Sequence, residues 1–301
     1  METKTQIKHI LVLFFMYGAI GFASCSGGEK NIDDVLSKET TPVTFELGAD
    51  EGYVGCMMFD YTANGTYLRS DTIPREQQTT PTTIDLRQGN HQLIWITARK
   101  AWLHPSNAGV YFYNGQIDGL RFIPSERTIQ IGYLSGYDIQ YWQKQIEVSP
   151  WLLPAQKANY SSATCALHIN ITDFPPSIEQ PSDWSKEIGK IFLPYVSEVG
   201  LADKRYKLKS ESGIMAVYYY PTMMGTHRCR PIDYYSLCPL NGLDNIQLTC
   251  SITDDNGQPV STTPLPKISF RRGYVTKIYG PLFSGSISDW KVEMEPFNYD
   301  N

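Results

Sequence analysis

The chain has 301 residues, with 26 Lys and Arg against 31 Asp and Glu, for a formal charge of −5. Its pI near 5.6 and the lack of any basic cluster exclude the electrostatic footprint of a nucleic-acid binder. Twenty Tyr and six Trp in a chain that is only 19% charged suit pleated, half-buried strands, where aromatic side chains pack well.

Lys4 and Lys8 precede an apolar run from Ile10 to Phe22, the charged-then-apolar order of a secretory signal peptide. The run is shorter than the roughly 20 residues of a membrane-spanning helix. Phe22-Ala23-Ser24-Cys25 follows, two small residues before a cysteine, and resembles the lipobox of bacterial lipoproteins. The resemblance implies cleavage before Cys25, a diacylglyceryl group on its thiol and an acylated new amino terminus, which together hold the chain on a membrane. An ordinary secretory peptide cut before a cysteine is the alternative. Residues 1–24 are then the signal and 25–40 a flexible tether, whose Ser26-Gly27-Gly28 and following charges have nothing to bury. Its acidic residues also resemble the surface-export signal of Bacteroidetes lipoproteins, although a solvated tether explains them equally well.

From Thr41 apolar Val43, Phe45 and Leu47 alternate with polar Thr44 and Glu46, the period of a strand with one buried face. CMMFDY and TYLRS, joined across Ala63-Asn64-Gly65, predict a hairpin, because Asn-Gly accepts the positive φ of tight turns. Residues 82–99 give a strand, a turn at Gly89-Asn90, and a central strand whose Leu93, Ile94, Trp95 and Ile96 are apolar on both faces. RTIQIGYLSGYDIQYW and KQIEVS continue the pattern, and proline and small polar residues in WLLPAQKANYSS mark a boundary. The second half begins with Cys165, Leu167, Ile169 and Ile171 in alternation. GIMAVYYYP, NIQLTCSITDDNGQPV, KISFRRGYVTKIYG and DWKVEMEPF supply further strands, with a turn at Asp255-Asn256-Gly257 and one greasy face on the last strand. Short, regularly spaced strands without helical periodicity predict an all-β chain of two β-sandwich domains, 41–155 and 156–301.

Chemistry is sparse. Five histidines show no metal-ligand spacing; His91, His104 and His168 read as solvent-facing, and His227-Arg228-Cys229 has no second ligand pair. No nucleophile elbow, phosphate loop, HExxH or dinucleotide fingerprint occurs, so no catalytic, metal or cofactor residues are assigned and the chain reads as a non-enzyme. With Cys25 assigned to lipid, Cys56, Cys165, Cys229, Cys238 and Cys250 remain, an odd number. Cys229 and Cys238 bracket a loop and form the candidate disulfide. Trp102, Trp151, Tyr218, Tyr219 and Tyr220 are aromatics that could stack on sugars, although in β-proteins most such residues are core.

The layout resembles the fimbrillin-like lipoproteins of Bacteroidales through FASC at 22–25, TPVTFEL at 41–47, LRQGNHQLIWITA at 86–98, TCALHINIT in the second half and ISFRRGYVTKIYGPLF at 268–283. The resemblance implies two transthyretin-like domains, an outer-membrane, cell-surface location, and fimbrial partners joined by strand addition. Stalk subunits of that family are cut after an arginine just before the first core strand. Here no arginine lies between Cys25 and Arg69, only Lys30 and Lys38, which favours an anchor or accessory subunit that keeps its N-terminus. The alternating tail Trp290, Val292, Met294 is the candidate donor strand, an ordinary edge strand being the alternative; loss of 288–301 is expected to abolish partner binding and spare the fold. Asp71-Thr72-Ile73 resembles the Bacteroidetes O-glycosylation acceptor, placing a candidate glycan on Thr72. A surface glycan-binding lipoprotein of a polysaccharide-uptake system is the second reading.

Overall fold

The computed structural model describes residues 36–48, 53–100, 110–113, 121–124, 137–173, 186–200, 206–221, 227–229, 232–253 and 258–298. Cys25, Trp102, His104 and the 255–257 turn lie outside them. Among the described residues no helix is long and apolar enough to cross a membrane. The chain is all-β. Its strands are β1 (Thr40–Glu46), β2 (Tyr53–Thr62), β3 (Tyr67–Ile73), β4 (Thr82–Arg87), β5 (Gly89–Lys100), β6 (Val110–Tyr113), β7 (Arg121–Pro124), β8 (Tyr137–Val148), β9 (Gln156–Lys157) and β10 (Ser161–Ser162). There follow β11 (Thr164–Ile171), β12 (Lys186–Gly200), β13 (Tyr206–Pro221), β14 (His227–Cys229), β15 (Ile232–Leu237), β16 (Leu243–Thr253), β17 (Pro259–Phe270), β18 (Tyr274–Gly280) and β19 (Lys291–Pro296). One helical turn, α1 (Arg75–Gln78), and a 3-10 turn at Ile287–Asp289 complete the set.

Two compact units emerge: among the described residues the first takes 36–100, 110–123 and 139–161, and the second takes Pro124, Tyr137, Asp138 and everything from Ser162 on. The segment 151–162 thus holds strands as well as a connection: β9 runs parallel to β1, and Leu153, Ala158 and Tyr160 pack against the first core.

The first unit faces a three-stranded sheet, β4-β1-β9, against a larger one ordered β10-β8-β5-β2-β3. Period-2 alternation on β1 turns Val43 and Phe45 inward, both 0% exposed, with Leu47 just beyond the strand also buried. They meet Met58, Leu93, Trp95 and Trp142 of the larger sheet. The Phe45 ring lies 4.8 Å from that of Trp95 and 6.4 Å from that of Trp142, and the two indoles stack at 24°. Such aromatic pairs add about 0.5–1.5 kcal/mol each beyond the area they bury.

Strand β5 lies between β8 and β2, and Leu93 through Ile96 are all buried, as their two-faced apolar run requires. The β2–β3 hairpin closes at Gly65, φ 81°, whose N–H donates to the Thr62 carbonyl. Gly89, φ 135°, instead sends the chain from the smaller sheet to the larger, so β4 and β5 do not form a hairpin.

In the second unit β15-β11-β18-β19 forms one sheet and β14-β13-β12-β16-β17 the spine of the other, with β12 packed on β15. Strand β11 is central, antiparallel to β15 and parallel to β18. Thr164 through Leu167 are therefore buried on both faces. Gly189 lets β12 approach β16: a Cβ there would stand 2.8 Å from the Ser251 carbonyl oxygen.

Truncating Phe45 to Ala removes the ring that joins the two sheets and is expected to destabilise the first unit by about 3–5 kcal/mol. Denaturant unfolding of Phe45→Ala followed by Trp95/Trp142 fluorescence measures this; a loss below about 1 kcal/mol would show that the contact is not structural.

Candidate functional site: the terminal strands

The N-terminal strand is held by its flanks as well as by its core face. Leu36 is buried just upstream, and Arg87, at the end of β4, grips the carbonyls of Ser37 (Nε, 2.7 Å) and Leu36 (Nη2, 2.9 Å). The Ser37 N–H donates to the Gln88 carbonyl, and the Gln88 N–H to that of Glu39. Thr41 Oγ1 donates to the Ser149 carbonyl at 2.8 Å. Strand β1 is thus laced into the sandwich along its length.

At the other end, β19 lies antiparallel on β18, with Ile278 opposite Val292 and Thr276 opposite Met294. It is the last strand of its sheet, so one row of its main-chain N–H and C=O groups faces away from the ladder. The expected greasy face is not buried: all six residues are exposed, Val292 by 46% and Met294 by 40%. Trp290 differs from the other two tail residues. It precedes β19 and lays its indole over Gly280, where a Cβ would overlap the ring. Past the strand, Phe297 is buried near Tyr235, and its N–H donates to the Gly273 carbonyl at 2.7 Å. Deleting 288–301 would therefore strip a core side chain, contrary to the sequence expectation that the fold is spared.

The connection into β19 is tied down by carboxylates. Asp173 accepts the N–H groups of Leu282, Phe283 and Ser284, and the Ser284 hydroxyl. Asp289 accepts the Ser286 N–H at 2.6 Å, and that bond first, then the Ser286 hydroxyl, holds its carboxyl below the usual 3.8. An ion pair joins Lys277 to Glu295 across β18 and β19, raising the Lys277 pKa mainly through that bond.

Other predicted residues fall elsewhere. Thr72 is exposed on β3, an edge strand of its sheet. Trp151 is 78% exposed beside Leu152; the side chains of Tyr218, Tyr219 and Tyr220 lie outside the described set. Cys238 is a free, buried thiol. It follows β15, whereas Cys229 ends β14 in the other sheet, and the side chain of Cys229 lies outside the described set. Cys56 is buried beside Tyr160, and burial pushes its thiol up to about 12, which makes it inert.

Two histidines expected to face solvent are paired instead. His91, 2% exposed, is hydrogen-bonded through Nδ1 to Asp60 Oδ1 at 2.7 Å and through Nε2 to the Arg87 carbonyl oxygen at 2.7 Å. His168 faces Asp233 directly across the β11–β15 ladder, Nδ1 to Oδ1 at 2.7 Å. Neither could be read from the sequence, because the acids lie 31 and 65 residues away. Both are structural cross-strand pairs, and among the described residues no cluster of His, Cys, Asp or Glu gathers as metal ligands would.

No sequence family and no curated protein matches the chain. Its fold is similar to that of a number of solved structures, three of which are the following. One is described as a candidate polysaccharide-binding protein of Bacteroides thetaiotaomicron (11% identity, 87% of this chain and 99% of that one, TM-score 0.53). Another is a candidate adhesin of Bacteroides ovatus (8%, 76% and 80%, TM-score 0.50), and the third a candidate cell adhesion protein of Bacteroides eggerthii (9%, 87% and 96%, TM-score 0.50).

Gly280→Ala should push Trp290 off β18 and cost about 1–3 kcal/mol by overpacking. Trp290→Ala in the same chain should remove most of that penalty, and additive losses in chemical denaturation would refute the contact. Because the Asp289 pKa is lowered on folding, its contribution is complete above 3.8 and is lost as the pH falls through the lower folded value. Protection of the Ser286 amide, its exchange rate taken relative to the intrinsic base-catalysed rate at each pH, should therefore fall only in that acid range, and a loss of protection between pH 5 and 7 would contradict the assignment.

Proposed function

We infer that this chain is a cell-surface adhesion or fimbrial protein, exported and lipidated on Cys25, that keeps its own first strand and offers its C-terminal edge to another subunit. The observation that carries this reading is the seating of β1. Its Val43 and Phe45 are 0% exposed, Arg87 clamps the chain just upstream, and no arginine lies between Cys25 and Arg69 at which that strand could be released. A subunit with its groove already filled needs no strand from a neighbour, which suits an anchor or accessory position. The names borne by the similar folds, adhesin and cell adhesion protein, support the same general role.

Strand β19 is the donor or docking element in this reading. Its outer main-chain groups can extend a partner's sheet, and exposed Val292 and Met294 supply the alternate side chains that such an addition reads. Thr72, exposed on β3, is the proposed glycan acceptor. Sugar binding is the second reading, favoured by the exposed indole of Trp151 and by the polysaccharide-binding description of one similar fold.

Val292→Lys together with Met294→Lys changes only exposed side chains, so thermal stability should stay within about 0.5 kcal/mol of the parent. Cross-linking and affinity purification from the native cells should recover fimbrial-type subunits with the parent chain and lose them with the double variant. Retention of the same partners by the double variant would rule out β19. Recovery of polysaccharide-transport proteins instead, with Trp151→Ala reducing polysaccharide retention, would establish the second reading.

A further inference from the structure

The second unit holds two cysteines that none of the foregoing uses. Cys165, on β11, stands opposite Ser236 of β15. The chain leaves β15 at Leu237, and the next residue, Cys238, still follows the ladder: its N–H donates to the Ala163 carbonyl at 2.9 Å. Side chains two apart on a strand share a face, so Ser236 and Cys238 point to the same side as Cys165, and Cys238 is its diagonal neighbour. The Cys165 sulfur lies 3.7 Å from the Ser236 carbonyl oxygen and 4.0 Å from that of Leu237, one peptide from Cys238. The two thiols hydrogen-bond each other, and both are buried.

The setting separates their roles. The Arg272 Nε donates to the Cys238 carbonyl at 2.7 Å, bringing the guanidinium beside that residue. The Cys165 thiol first, and Arg272 second, lower the Cys238 pKa below its usual 9.0, whereas burial raises that of Cys165. Cys238 is accordingly the better nucleophile and Cys165 the resolving thiol.

We propose that Cys165 and Cys238 close as a disulfide that staples the start of β11 to the end of β15. The bond forms by exchange with a disulfide-bearing oxidant, either a dithiol oxidase of the exported compartment or glutathione disulfide. The Cys238 thiolate attacks one oxidant sulfur, forming a mixed disulfide and releasing the first thiolate. Cys165, giving up its proton, attacks Cys238 Sγ and expels the second. Two protein thiols are oxidised, one oxidant disulfide is reduced to two thiols, and the two protons pass to those thiols. Since both sulfurs are buried in the folded unit, exchange occurs during folding, before the end of β15 settles. The staple is independent of the adhesion reading, because it rests only on the geometry within the second unit.

The full chain, reduced and unfolded, is refolded in glutathione redox buffer, alkylated under denaturing conditions and digested without reductant. The expected product is a linked peptide pair containing Cys165 and Cys238, two hydrogens lighter than the separate peptides. Cys229→Ser should retain it, and Cys165→Ser should lose it. Adding reductant should lower the thermal midpoint of the parent and of Cys229→Ser, but not that of Cys165→Ser. A Cys229–Cys238 link would overturn the proposal, as would full alkylation of Cys165 and Cys238 after refolding with excess glutathione disulfide. Because the parent and Cys229→Ser decide the question, poor folding of Cys165→Ser would not obscure the result.

Discussion

The first unit depends on the packing of Phe45 against Trp95 and Trp142, because β1 is, among the described residues, the only strand holding its small sheet together. Strand β4 pairs with β1 on one side and β9 pairs with it on the other, and neither has another neighbour in that sheet. Withdrawing β1 would leave two isolated strands and expose the aromatic floor formed by Trp95 and Trp142. Its core face, the Arg87 clamp and both ladders all oppose that withdrawal. Each main-chain bond contributes only about 0.5–1.5 kcal/mol net, so the apolar face supplies much of the hold.

The C-terminal strand is built in the opposite way. It has one neighbour, both of its faces are exposed, and its attachment is concentrated at the ends, through Trp290 on Gly280 and through Phe297. Lys291, Glu293, Glu295 and Pro296 are the kinds of residue that keep an edge from pairing indiscriminately. An edge guarded by charge yet carrying Val292 and Met294 can admit a matched partner and resist self-association. Strand β1 therefore completes its own fold, while β19 leaves a row of hydrogen-bonding groups outside the ladder.

Much of this was legible because strand period reports burial directly. Val43, Phe45 and Leu47 alternated and are buried; Leu93 to Ile96 were apolar on both faces and occupy a central strand; Asn64-Gly65 turns a hairpin. Period does not say which sheet a strand joins. The crossings at Gly89 and Gly273, and the parallel pairing of β11 with β18, were therefore invisible. The tail misled for a related reason: alternation in Val292 and Met294 signals burial only where an opposing layer covers the strand, and the edge lies beyond it. The thiol contact and the two His–Asp pairs depend on cross-strand register between residues far apart in sequence, a quantity local patterns do not carry.

The central claim, that the chain retains its first strand, is tested most directly by the intact mass of the protein extracted with detergent from the membranes of its native cells. A chain beginning at acylated Cys25 and containing residues 41–47 is the predicted result. A mature chain whose first residue lies beyond Leu47 would show that β1 is removed, and would contradict the account.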